Sequence, residues 1–420
     1  MIGAKQDKRA TWVMMVQMAL LALLPLLVVL SHRNIVGLMF LLGIAALFQP
    51  GRTGLRAWLG APFRRATLHP FLTFAGLFSL YAAVATFWAP QGFDLEVFVR
   101  QPIFYGIIVC LLGEAVVMAP KQARVLAQFF AWMVIISMLG LGFEALTGGW
   151  LRDVTPPLAD PARDNIATAR GTTIAIIVFF PAALILASSC ARFPLAFRVA
   201  VLALAFAGLT LAATTFDSST NAAALGLGLV MAMVGYFWPK PVLGVVAACF
   251  VIALVTAPLM AWSLPPVADL AEIQSVPASW VQRLIIWQHT SAEIFASPGQ
   301  FLFGGGGDYG RALTSQSGTI MIKQLSVPLD LFPTHPHNIF LHIWLEFGAI
   351  GAVLAAASFG FLGRALVKMH LSRELVAAAT GLAVATFIMA YVDASLWTFW
   401  RLVAPVLAVY GLVLYHRSIS

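Results

Sequence analysis

Residues 334–351 read THPHNIFLHIWLEFGAIG, and how this stretch divides decides the fold. Thr334-His335-Pro336-His337 is a polar, proline-broken approach. From Asn338 the chain turns apolar over residues 338–361, long enough for a helix that crosses a bilayer. Asn338 or His337 would cap that helix, and the positive end of its dipole disfavours an imidazolium there. His342 and Glu346 fall one turn apart on one face and can satisfy each other, as packing groups first and a proton path second.

The rest of the chain shares this character. Of 420 residues, 61% are hydrophobic and 10% charged, with a mean hydropathy of +0.91. No soluble globular chain of this length has that composition. Windows of about 19 residues give about twelve apolar stretches, near 11–30, 35–49, 71–88, 103–119, 125–146, 171–188, 199–215, 220–238, 242–262, 338–361, 375–392 and 400–415. The second is short enough to be tilted or re-entrant. The expected fold is an all-α polytopic membrane protein, one transmembrane domain over residues 1–420.

Basic residues orient it. With the N-terminus inside, one side collects Lys5, Lys8, Arg9, Arg52, Arg56, Arg64, Arg65, Lys121, Arg124, Arg192, Arg198, Lys240, Arg364, Lys368, Arg373 and Arg417. The other holds Arg33, Arg100, Arg152, Arg163, Arg170, Arg283, Arg311, Lys323 and Arg401. This bias puts both termini in the cytoplasm. The net charge of +8 is then an inner-face property suited to anionic membrane lipids, not a nucleic-acid footprint. The first span reads as a retained anchor, since no small-residue cleavage site follows it. Cys110, Cys190 and Cys249 are scattered in or beside spans and imply no disulfide framework.

Two outer connections exceed simple turns. Residues 147–170, TGGWLRDVTPPLADPARDNIATAR, carry Arg152, Arg163 and Arg170; residues 263–337 are long enough for a small subdomain between spans nine and ten. Within the second, Ser279 and Gln282 read as a capping box that opens a helix from Trp280 to about Phe295. Trp280, Leu284, Trp287 and Ile294 form its apolar stripe, so it lies on the membrane surface or on the bundle. The glycine run 304–307 either lets the backbone approach a ligand or makes a flexible turn.

Arginines at one bilayer face point to an anionic ligand, because the guanidinium fork grips phosphate in a bidentate way. The bland alternative pairs them with Asp153, Asp164 or Asp308. Arg283, among apolar neighbours on the amphipathic helix, either contacts such a ligand or snorkels to headgroups. His337, as a neutral imidazole, either takes a proton from a hydroxyl or serves as a cap. A metal site at His335 and His337 lacks a third ligand of the usual kind. Asp393, near the end of its span, has Arg401 as a natural partner.

Three stretches resemble the O-antigen ligase family, which is related to O-antigen polymerases and bacterial protein O-oligosaccharyltransferases. They are Arg283 to Trp287, SPGQFLFGGGGDYGRA from Ser297, and PHNIFLHIWLEFGAIG from Pro336 to Gly351. The resemblance implies a GT-C-like glycosyltransferase architecture. It implies an enzyme at the periplasmic face of the bacterial inner membrane, moving a glycan from undecaprenyl diphosphate to a hydroxyl of lipid A-core oligosaccharide. It further implies inversion at the anomeric carbon, with no metal and no cofactor. The family's functional arginine falls on Arg283 and its functional histidine on His337; Arg163, Arg170, Arg311 and Asn338 are further candidates for diphosphate or substrate contact, and Asp393 for support. One departure stands out: where members often carry Ser-Arg, this chain has Phe216-Asp217-Ser218-Ser219-Thr220-Asn221, so Arg163 or Arg170 would have to substitute. A polymerase, a protein glycosylation ligase and, outside enzymes, a lipid-linked glycan flippase are the competing readings.

Overall fold

The structure is a computed structural model that describes residues 2–48, 69–154, 161–190, 192–216, 219–325 and 328–420. Among these, eleven helices are long and apolar enough to cross a membrane, from Ala10–Leu30 to Phe399–Ile419. The twelfth expected stretch is the shorter apolar helix His32–Leu47, matching its reading as the short one. The chain is an all-α polytopic membrane protein. The basic connection after it, with Arg52, Arg56, Arg64 and Arg65, lies outside the described residues, as do Asp217 and Ser218.

The most enclosed span, Asn165–Ser189, has 83% of its apolar window buried and is the post around which the others stand. Helices Pro120–Thr147, Leu195–Thr215 and Phe399–Ile419 pack on it. Small residues permit this approach: at Gly171 a Cβ would come within 2.0 Å of the Val28 carbonyl oxygen. A second core surrounds Ile339–Lys368, with Phe340, Leu345 and Phe347 fully enclosed.

Prolines inside spans leave carbonyls to be satisfied elsewhere. Pro258 lies within Pro239–Trp262, so the Leu254 carbonyl, four residues earlier, has no partner in its own helix. The Trp344 indole N–H donates to it at 2.7 Å, which couples the two helices.

Residues 263–325 and 328–337 fold as a cap at one end of the bundle. They contain helices Val267–Ala271, Ala278–Ile294, Pro298–Phe303 and Tyr309–Thr314 and a minimal antiparallel pair, Thr319–Ile320 with Leu329–Asp330. Leu270, Val281, Ile285 and Ile322 give the cap its own core. The amphipathic helix lies on the bundle, against Pro239–Trp262 and Ile339–Lys368. Its start differs from the capping-box expectation: Pro277 precedes the first turn and no side chain caps it. Ser279 is inside the helix because Pro277, which cannot donate, already sets the boundary.

Candidate functional site

The site forms where the cap meets the turn between the last two spans. Helix Arg373–Val392 ends at Asp393, whose carboxylate gathers three side chains, two of them from distant parts of the chain. Oδ1 faces His337 Nδ1 at 3.3 Å and Arg283 Nη2 at 3.9 Å. Oδ2 accepts from Arg401 Nη2 across the turn. Burial pushes the Asp393 carboxyl up, but Arg401, the His337 hydrogen bond and Arg283 outweigh it and hold the group below the ordinary carboxylate range.

His337 has φ +53, a left-handed conformation that costs a non-glycine residue roughly 1–2 kcal/mol. Its neighbours impose it. Pro336 restricts the chain before it, and the Trp287 indole N–H donates to the Pro336 carbonyl at 3.0 Å. Asn338 then caps Ile339–Lys368, its Oδ1 accepting from Phe340 N at 2.9 Å and Leu341 N at 3.1 Å. The imidazole, clamped on both sides, gives its Nδ1–H to Asp393 and leaves Nε2 with a free lone pair.

Arg283 is held as firmly. Its Nε donates to the Val392 carbonyl at 2.9 Å and its Nη1 to the Ser279 carbonyl at 2.8 Å, and its guanidinium lies 5.8 Å from the Trp280 ring. The group is fixed over the turn instead of trailing to lipid headgroups. With five donors on a guanidinium and two committed to carbonyls, N–H groups remain for an incoming anion.

A comparison with family models matches residues 202–356 to one described as O-Antigen ligase. Over that segment the chain is similar to the O-antigen ligase family. The matched segment includes Arg283, His337, the glycine run and Glu346, whereas Arg170, Asp393 and Arg401 lie outside it. No curated protein matches the chain. Members of the O-antigen ligase family are membrane glycosyltransferase-like ligases, and this chain carries their domain on a multi-pass bundle.

The other expected site residues separate. Arg170, on Pro161–Ser189, lies within electrostatic reach of Asp393, Arg401 and Arg33. Arg163 is on the same helix, with its side chain outside the described residues. Arg311 is taken by Asp308 at 3.2 Å on an exposed surface, as its bland reading held. Asn338 is buried, and its amide oxygen is spent on the cap, so it reaches the site only by fixing His337. His335 and His337 have ring centroids 4.3 Å apart, and burial holds His335 down to about 2, neutral at any working pH. Among the described residues no group of three His, Cys, Asp or Glu side chains could hold a metal ion.

The glycine run makes a close approach to backbone. Helix Ile339–Lys368 breaks at Gly348 (φ 56°, ψ −160°), and the run fills the break. Gly305 N donates to Leu345 O at 2.9 Å and Gly306 N to Glu346 O at 3.0 Å. The close approach requires glycine on both sides, because a Cβ on Gly348 would meet Gly304 N and the Leu302 carbonyl at 2.6 Å.

Sequence reasoning missed Trp397. The turn ASLWTFW between Asp393 and Arg401 held the signal, since a connection so short leaves its polar and indole groups facing the same end of the bundle as the cap.

Proposed function

We propose that this protein is an O-antigen ligase that transfers O-antigen polysaccharide from undecaprenyl diphosphate to a hydroxyl of lipid A-core oligosaccharide at the periplasmic face of the inner membrane. The observation that carries the reading is the convergence of His337, Arg283 and Arg401 on Asp393, with Arg170 within electrostatic reach.

The chemistry divides between these groups. The acceptor hydroxyl gives its proton to His337 Nε2 as its oxygen attacks the anomeric carbon. The glycosidic C–O bond to the donor phosphate breaks, the diphosphate leaves with the electron pair, and the anomeric centre inverts. Arg283 and Arg170 stabilise the charge that grows on the leaving group, without a divalent metal or cofactor. Asp393 holds the imidazole in the tautomer with Nε2 free and stabilises the imidazolium once the proton arrives.

The departure from the family's Ser-Arg pair has a local counterpart. Asn221 donates to the Ala169 carbonyl at 2.9 Å and accepts from Thr173 Oγ1 at 2.9 Å. Asn221 is thus docked on the helical turn that bears Arg170, which supports Arg170 as the substituting guanidinium. Both substrates are lipid-anchored, so they enter laterally between spans beneath the cap of residues 263–337, in a GT-C-like arrangement.

Lipopolysaccharide gels of a deletion strain test the proposal. The ligase reading predicts core without O chains while polymer accumulates on the carrier lipid. Core bearing a single repeat unit would assign a polymerase instead, and loss of glycoprotein would assign a protein glycosylation ligase.

A further inference from the structure

Glu346 and His342 are fully buried, and the chemistry above uses neither. Burying a carboxylate is costly, and a well-packed apolar pair in its place is often no less stable. Their hydrogen bonds show what they hold. Leu396 N–H donates to His342 Nδ1 at 3.2 Å, so the other ring nitrogen, Nε2, carries the hydrogen and donates to Glu346 Oε1 at 2.9 Å. The Trp397 indole N–H lies 2.8 Å from both Glu346 oxygens. Glu346 therefore receives, directly and through His342, two consecutive residues of the turn that begins at Asp393. Its own backbone is fixed in turn by the bond from Gly306 N to its carbonyl at 3.0 Å. The Arg100 guanidinium sits 5.6 Å from the Trp397 ring and 5.8 Å from Phe399.

The turn is thus tied at both ends. At one end Asp393 orients His337; at the other, Leu396 and Trp397 are fastened to a carboxylate in the core. We propose that Glu346 is a positioning residue: through Trp397 and His342 it fixes residues 393–397, and with them the Asp393 carboxylate that sets the His337 imidazole. This requires an acceptor at residue 346, which an apolar side chain of similar volume does not supply. The inference rests on the reading of His337 and Asp393 given above.

The test is a double-mutant cycle on purified full-length protein with a defined lipid-diphosphate glycan donor and lipid A-core acceptor. Glu346→Leu removes the acceptor, and Trp397→Phe removes one donor while keeping the aromatic volume, so it carries the test if the first variant does not fold. Each is expected to lower kcat about tenfold or more with KM within about twofold, because small misplacements of a base act on the chemical step. Glu346→Gln, whose amide oxygen can accept both N–H groups, recovers most of the loss. In an Asp393→Asn background the same substitutions cost no more than about twofold further, since the orientation they protect is already gone. Losses that multiply in that background, or that fall on KM with kcat intact, overturn the inference. His337→Ala separates the two levels. Full activity there removes the catalytic reading itself, whereas an inactive His337→Ala with multiplying losses at Trp397 removes only the positioning role.

Discussion

Asp393 and His337, 56 positions apart, meet through a 3.3 Å contact between Oδ1 and Nδ1. That contact fixes which imidazole nitrogen is free. Asp393→Asn can return an N–H to Nδ1 and turn the ring to the wrong tautomer. The expected result is a kcat loss on the order of 10²–10⁴, the usual share of general-base catalysis, with donor affinity little changed. Transfer kinetics together with donor binding check it.

Arg283 is held by two carbonyls and an aromatic ring, so its role is geometric as well as electrostatic. A lysine there keeps the charge and loses the fork. Arg283→Lys should lower kcat/KM by at least about tenfold, with unfolding temperature changed little. Full activity in this variant would mean that a point charge suffices.

Arg401 is almost enclosed and pairs with Asp393. Truncating one member of such a pair strands the other, at about 3–5 kcal/mol. Arg401→Leu should therefore reduce thermal stability in detergent as well as activity, which distinguishes it from Arg283→Lys. An Arg401→Leu, Asp393→Leu double variant should recover much of the stability and none of the activity.

Acid should destabilise the protein in two windows. His335 and His289 are both lowered by burial, so the unfolded chain binds protons at these sites that the folded one refuses. Their contribution is present above the unfolded histidine pKa of 6.5 and is lost as pH falls below it. Asp393 is lowered by its cationic neighbours, so its contribution is present above the ordinary 3.8 and is lost only in stronger acid. Thermal unfolding between pH 8 and pH 5 should show a falling midpoint, and His335→Asn should flatten part of that slope.

The break at Gly348 is a stability element. Gly348→Ala forces a Cβ into the Gly304 and Leu302 backbone at a φ of +56, and it should cost several kcal/mol or abolish accumulation in the membrane. Ala substitution at Gly360, where a Cβ meets nothing within 4 Å, is the matched control and should be tolerated.

Much of this was legible before the structure. The spans follow from apolar length, and the short one at 35–49 was recognisable as short. The i, i+4 relation of His342 and Glu346 gave their pairing, and the proximity of Asp393 to Arg401 gave theirs. Three things were not legible, the first two because they depend on long-range packing. Asp393 meets His337 and Arg283 only because the cap folds back on the last turn. The glycine run finds its partner in a helix break roughly forty residues later, which composition alone does not reveal. The Ser279 capping box failed because Pro277 competes for the same boundary, and motif spacing alone cannot decide between them.

The central claim is that His337 takes the acceptor proton at a site whose arginines hold the donor. Single-turnover transfer by purified His337→Ala, with defined donor and acceptor and with donor binding measured on the same preparation, addresses it most directly. The account predicts a folded protein that binds the lipid-diphosphate donor about as well as the parent and transfers no detectable glycan. Transfer at the parental rate would contradict it.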